Sequence, residues 1–325
     1  MHIPDNYLSP QTCGVAFAAM VPVWAVSIHK VHKELPEEKI SYLGVAAAFS
    51  FIVMMFNVPM PGGTTGHAVG GTLIAVLFGP YAACIAVSVA LLLQALLFGD
   101  GGILAFGANC FNMAFVLPFA GYAVYALIRK FMKNQKGDVI AAGIGSYVGL
   151  NAAALCAAIE FGIQPMLFRD GAGNAMYCPY GLNISVPAMM AGHLTVFGAA
   201  EVIFTVAVLG FVMKADPSLV KTENQKSSSR AIPVLLAVLM AATPLGLLAE
   251  GTAWGEWDTT EVTSVNGYTP SGMKHGFSWK ALLPDYSLKG MPAWMAYVLS
   301  AVIGVSLLII IFRMLSSMER KKAEA

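Results

Sequence analysis

Long apolar stretches recur along the chain, separated by short polar ones, at lengths that match a bilayer. A hydrocarbon core takes about 20 apolar residues as a helix. Nine segments come near that length: 11–28, 40–57, 66–79, 81–98, 105–128, 139–162, 185–213, 231–250 and 293–312. The third is short, which predicts a half-span or part of a broken helix lining a cavity. The pattern predicts an all-α polytopic membrane protein, a seven-helix bundle followed by two further transmembrane helices. No period of 20–50 residues repeats, so a solenoid is not indicated.

Composition agrees. The chain is 57% hydrophobic and 11% charged, where soluble domains carry about 25% charged residues. The surroundings are therefore a lipid bilayer. A net charge of +1, with no basic patch interleaved with aromatics, implies no nucleic-acid partner.

Orientation follows from Lys and Arg, which concentrate on the cytoplasmic side. With the N-terminus outside, inward-facing loops hold all but Arg169, Lys274, Lys280 and Lys289 of the 19 basic residues. The expected topology is N-terminus outside, C-terminus cytoplasmic, with an odd number of spans.

The first 28 residues lack Lys and Arg, and no A-x-A site follows the first apolar run. A cleaved signal peptide is not expected. Because His2 is large, Met1 is expected to stay. None of the five cysteines forms a CxxC pair, and most sit in or beside apolar runs. They read as small buried hydrophobes. Met54, Met55, Met60, Met189 and Met190 read as filler on the same ground.

A polar, serine-rich stretch, KADPSLVKTENQKSSSR, marks a boundary. It divides the chain into a first block at 1–213, a cytoplasmic linker at 214–230 and a two-helix block at 231–325. Residues 251–292 form the polar outside loop of that second block.

The first ten residues, MHIPDNYLSP, carry the chemistry. Ser9-Pro10 is a helix start, with an N-cap serine and Pro at the first helical position. Ile3-Pro4-Asp5-Asn6 reads as a turn. Together they can fold the terminus back over the bundle. The Met1 amine, the His2 amide nitrogen and His2 Nδ1 can then chelate one ion through a five-membered and a six-membered ring. The set is planar and needs a deprotonated amide, so binding should depend strongly on pH. His67, within the glycine-rich VPMPGGTTGHAVGG, is a candidate for the open fourth position. The glycines there (Gly62, Gly63, Gly66, Gly70, Gly71) permit close backbone approach. Four nitrogens in a plane suit Ni²⁺ or Cu²⁺, with Co²⁺ next. Residue chemistry alone leaves a second reading open, a frayed terminus and a structural histidine.

Ionisable residues inside spans, Glu160, His193 and Glu201, are candidates for a functional polar role or for helix-to-helix hydrogen bonding. His193 and Glu201 lie eight residues apart, too far along one helix to share an ion. Asn109 and Asn112 share a helix face and would brace the N-terminal loop from behind the ligands. Asp5, Gln94 and Asp100 join them as candidate supporting residues. Gly145 and Gly149 form a small-residue helix-packing motif.

MHIPDNYLSP, GGTTGHAVGGTL, QALLFGDGGILAFGANCFNMAF and GHLTVFGAAE resemble the CbiM/NikM family, the substrate-binding membrane components of energy-coupling-factor transporters for cobalt or nickel. The resemblance spans residues 1 to about 213. Where the family has Gly, this chain has Asn6, which also tolerates turn geometry. The resemblance implies Met1, His2 and His67 as the metal ligands, with no cofactor beyond the transported ion. It also implies partners, a membrane coupling (T) protein and two ATP-binding cassette ATPases, in the cytoplasmic (inner) membrane, and a link to cobalamin biosynthesis. Residues 231–315, with LLPDYSLKG, are similar to the N-type (PDGLE-type) accessory component fused to some nickel-type members.

No G-x-x-x-x-G-K-[ST] phosphate loop is present, so ATP hydrolysis would fall to the partners. A secondary transporter or channel would usually show paired repeats and midplane charges, and a membrane metalloenzyme would need an open coordination position and a general base. Nickel is expected over cobalt, since amide-nitrogen coordination favours it.

Overall fold

The computed structural model describes residues 1–35, 37–61, 63–216 and 230–323. Most of the 214–230 linker, with Gly62 of the glycine-rich loop, lies outside the described residues.

The chain is built almost entirely of helices, and among the described residues seven of them are long and apolar enough to cross a membrane. They are α1 (Pro10–Glu34), α4 (Pro80–Phe98), α5 (Phe106–Phe131), α6 (Gln135–Leu167), α7 (Leu182–Ala215), α8 (Ala231–Leu248) and the Ala293–Met318 stretch of α10 (Ala293–Ala323). Helix α2 (Glu37–Met54) carries a shorter apolar run, Tyr42–Met54. Helix α9 (Thr259–Asn266) is eight residues long, and so is α3 (Gly71–Phe78). Gly79 stops it at φ +88°, and Pro80 starts α4 as its first residue, the helix-end chemistry of these two residues. The broken third span expected from the pattern is this α3.

A short strand pair departs from the all-helical pattern. Val58–Met60 (β1) and Thr64–Gly66 (β2) pair antiparallel in a small hairpin. It carries the chain from α2 to His67.

Small residues set the helix contacts. A Cβ on Gly145 would lie 2.5 Å from the Gly121 carbonyl oxygen, and one on Gly149 would lie 2.5 Å from that of Leu117. The Gly145/Gly149 pair thus lets α6 lie directly on α5. The second block docks the same way: a Cβ on Gly44 of α2 would meet Phe312 at 3.0 Å, and one on Gly304 of α10 would meet the Phe51 ring at 2.3 Å. The contact is backbone-close, so α10 packs as an integral part of the bundle.

The first residues do not fray. Met1, His2, Ile3, Tyr7 and Leu8 are all buried. Ser9 caps α1 by accepting from the Thr12 amide. The core runs continuously from this tucked terminus through α2, α4, α5 and α6. Met54, Met55 and Met189 are buried within it, as apolar filler would be.

Candidate metal centre

The site is assembled from four places in the chain: the N-terminus, the loop before α3, the end of α4 and the 251–292 segment. Asn109 on α5 holds the terminus as a strand partner would. Its Oδ1 accepts from the Ile3 amide at 2.8 Å and its Nδ2 donates to the Ile3 carbonyl at 3.0 Å. The Gly102 amide donates to the same carbonyl at 2.8 Å. Asp5 Oδ1 accepts from the Leu104 amide at 2.7 Å. Gln164 accepts from the Ser9 amide at 2.9 Å. These bonds pin residues 3, 5 and 9, and so aim residues 1 and 2.

His67 is held from the other side. The Glu201 carboxylate, on α7, accepts from the Val69 amide at 2.6 Å and the Gly70 amide at 3.1 Å. A carboxylate at these first amides satisfies donors that a helix start leaves unpaired and favours the start of α3 electrostatically. Gly70 takes φ +73°, which the turn into α3 requires. His193 on α7 stays apart from this site. Its Nδ1 donates to the Met189 carbonyl, and its ring meets Phe197 edge-on.

The two imidazoles face each other. His67 Nδ1 lies 3.0 Å from the Ala68 carbonyl. A carbonyl only accepts, so this nitrogen carries the proton and Nε2 presents its lone pair. That lone pair lies 3.1 Å from His2 Nδ1. Two nitrogens each about 2.0 Å from one ion at a right angle would be about 2.8 Å apart, so the observed pair needs only a small adjustment. Asp100 Oδ1 lies 3.2 Å from the same His2 nitrogen. Burial lowers the His2 pKa to about 4 and that of His67 to about 3, so both rings are neutral near pH 7. Among the described residues the His2 backbone N–H meets no acceptor. His2 Nε2 is buried without a partner, as is Oε1 of the neighbouring Gln94.

The Met1 ammonium donates to Glu256 Oε1 at 2.8 Å. Burial acts to raise the Glu256 carboxyl, but the ammonium and the two imidazoles outweigh it and hold the group below its ordinary range. Asp100 is raised, by burial and then by Glu256. Gln94 Nε2 donates to Asp100 at 3.2 Å and to the Tyr286 hydroxyl at 3.0 Å, and that hydroxyl donates to Asp100. Asn112 turns elsewhere: its Nδ2 donates to Glu160 Oε2 at 2.7 Å.

Thus Asn109, Asp5, Gln94 and Asp100 gather around the terminus, Glu201 holds the His67 loop, and Asn112 and Glu160 pair with each other. The sequence reading missed Glu256, Tyr286 and Gln164. Gln164 stands in an apolar span, where a polar side chain is itself a signal. Glu256 and Tyr286 lie in a polar loop, where nothing local distinguishes them.

Asn6 takes a left-handed φ of +69°. Its side chain pairs reciprocally with the Phe277 backbone, Nδ2 donating at 2.8 Å and Oδ1 accepting at 2.9 Å. The Tyr7 hydroxyl donates to the Trp257 carbonyl at 2.7 Å. The second block therefore grips the turn that carries the terminus. Among the described residues no three His, Cys, Asp or Glu side chains form a metal cluster.

Fold and site together define a helical, multi-pass membrane protein that buries its own first two residues against a second histidine. The chain belongs to the cobalt uptake substrate-specific transmembrane region family, which matches residues 2–219. A PDGLE domain matches residues 228–321. The chain is 50% identical over 321 residues to a probable fused nickel transport protein of Lactiplantibacillus plantarum, covering 96% of this chain and 97% of that one. It is 48% identical over 332 residues to a fused nickel transport protein of Rhodobacter capsulatus, covering 95% of each. A solved structure described as a truncated transition metal transporter is 53% identical, with a TM-score of 0.63, and covers 66% of this chain and 99% of that one.

Proposed function

We propose that the chain is the metal-binding membrane component of an ATP-driven energy-coupling-factor importer for Ni²⁺ or Co²⁺. Residues 1–213 are the metal-binding unit and 231–325 an accessory segment joined through 214–230. The ion is captured at the outer face by the Met1 amine, the His2 amide and Nδ1, and His67 Nε2. The observation that carries this reading is the meeting of His2 Nδ1 and the His67 Nε2 lone pair at 3.1 Å in a buried pocket.

The ion would take places now held by protons: the Met1 ammonium and the His2 amide each give one up, and the His2 ring proton moves off Nδ1. An ion on Nδ1 of a neutral imidazole requires the ring proton on Nε2. That atom and Gln94 Oε1 are the two orphans beside each other. In the metal-bound tautomer they become donor and acceptor, the usual outer-shell partnership of a ligating histidine. The unpaired His2 amide is likewise free to be displaced of its proton. Asn109 and Asp5 keep the donor set in register.

Nickel is favoured over cobalt. A planar nitrogen set suits it, and relatives that cover nearly the whole chain are named for nickel. Copper binds such donors more tightly, so selectivity against it rests on geometry and availability. A membrane coupling protein and two ATP-binding cassette ATPases supply the energy, in the cytoplasmic membrane with the N-terminus outside.

Metal analysis of the purified chain tests this, beside a variant with one residue inserted before Met1. The insertion keeps every side chain and moves only the amine, so metal content should fall sharply. Unchanged content would refute the terminal chelate. Uptake that persists without any ATPase partner would favour a secondary transporter.

A further inference from the structure

A cavity of about 420 Å³ lies between the two blocks and ends on His2 and His67. One wall comes from the first block, with Thr65 and Asp100. The other comes from the second block, with Ala249, Glu256 and Asp285. Among the described residues no Lys or Arg lines it, and three carboxylates do. Asp285 is the most exposed of the three, while Asp100 and Glu256 are each about one-fifth exposed and lie against His2 and Met1. Carboxylates alone would not mark a route. Here they lead to a 2%-exposed imidazole that lines the cavity and whose Nε2 has no partner.

The wall is held in an uncommon conformation. Asp285 and Tyr286 take φ values of +52° and +57°, a region that non-glycine residues occupy only when their surroundings enforce it. Tyr286 is enforced by its bonds to Asp100 and Gln94. The second block is thus tied to the site at the point where the cavity narrows.

Size is also adequate. Six waters at about 30 Å³ each amount to about 180 Å³, so an ion can enter with its hydration shell and lose it only at the nitrogens. A cleft of one sign of charge with low-dielectric walls concentrates counter-ions and raises their association rate.

We infer that this cavity is the route by which a hydrated divalent cation reaches the N-terminal nitrogens, and that the accessory segment supplies the carboxylates steering it, Asp285 at the mouth and Glu256 beside the terminal amine. The inference rests on the terminal chelate proposed above and adds a role for the second block.

The test is the rate of Ni²⁺ loading by the purified full chain after mixing with a nickel salt, at low and at physiological ionic strength. Asp285→Asn keeps a residue that tolerates left-handed backbone and removes the charge. It should load about three- to tenfold more slowly at low salt, with the gap closing as salt screens the field. Asp285→Glu should load at close to the unaltered rate. Ala249→Trp, which narrows the cavity without touching charge, should load more slowly at both salt concentrations. Normal rates in both Asp285→Asn and Ala249→Trp overturn the route. His67→Ala separates the two readings. If it loses stable nickel while the cavity variants load normally, only the route fails. If it retains nickel, the chelate itself fails.

Discussion

The Met1 ammonium and the Glu256 carboxylate, 255 residues apart in sequence, meet at 2.8 Å. One end of the bond is the first atom of the chain and the other belongs to the accessory segment. The ammonium side is essentially buried and the carboxylate about one-fifth exposed. Removing one partner of such a pair leaves a buried charge uncompensated. For Glu256→Ala we expect a loss of about 2 kcal/mol, below the figure for a fully buried pair because of that exposure. Thermal unfolding in detergent reads it. The loss should be larger in the metal-free protein than in the loaded one, where the amine would no longer be a cation. Equal losses in both would argue against the amine as ligand.

Glu201 sets the position of His67 through two backbone amides. Glu201→Ala leaves both donors buried and unpaired, at about 1–3 kcal/mol each. Nickel titration should show affinity about 10–100-fold weaker, the range for lost outer-shell partners. Glu201→Gln keeps an acceptor oxygen and should fall between. Unchanged affinity in Glu201→Ala would detach this carboxylate from the site.

Asn109 and Asn112 give a paired contrast. Asn109 grips Ile3 with two bonds, whereas Asn112 bonds Glu160. Asn109→Ala should weaken nickel binding by about tenfold or more. Asn112→Ala should lower the melting temperature and leave nickel affinity close to that of the unaltered chain. Equal effects of both on affinity would contradict the geometry.

Two buried neutral imidazoles make the metal-free protein sensitive to acid. In the unfolded chain each takes a proton near pH 6.5. In the folded chain His2 resists until about pH 4 and His67 until about pH 3. Between pH 6.5 and 4 the unfolded state binds more protons, so stability declines as pH falls. Melting temperature measured across that window should drop, and the slope should flatten in a His2→Ala, His67→Ala double variant. Nickel loading itself should rise with pH because the amine and amide release protons on binding.

Gly149 lies against the Leu117 carbonyl oxygen, with only 2.5 Å for an added Cβ. Gly149→Ala should cost about 1–3 kcal/mol through overpacking, read as a lower melting temperature. An unchanged melting temperature would mean that α5 and α6 can separate freely.

Much was legible in the one-dimensional pattern. Helices announce themselves because a bilayer demands that every backbone group be satisfied within its own segment, so apolar length alone marks a span. Ser9 and Pro10 act on their immediate neighbours and are legible in the same local way. So was the chelating capacity of Met1 and His2, since both chelate rings close through bonds of adjacent residues. What lay beyond the pattern was long-range. Nothing next to Glu256 reveals that it faces Met1, nothing next to Asn6 reveals Phe277, and Asn109 and Asn112 look equivalent from their spacing. The hairpin at 58–66 was also hidden, because strands three residues long leave no alternation to read.

The residues alone determined that this chain has the apolar lengths to span a bilayer, that its first dipeptide offers amine, amide and imidazole nitrogens, and that a histidine stands within a glycine-rich stretch. Those properties are local, written in apolar length, ring closure and backbone freedom. Only the folded chain decided which polar groups meet: His2 with His67, the amine with Glu256, Glu201 with the loop before α3. Such meetings depend on how helices pack, and packing is set by contacts between residues 65 to 255 positions apart, whose partners no local pattern records.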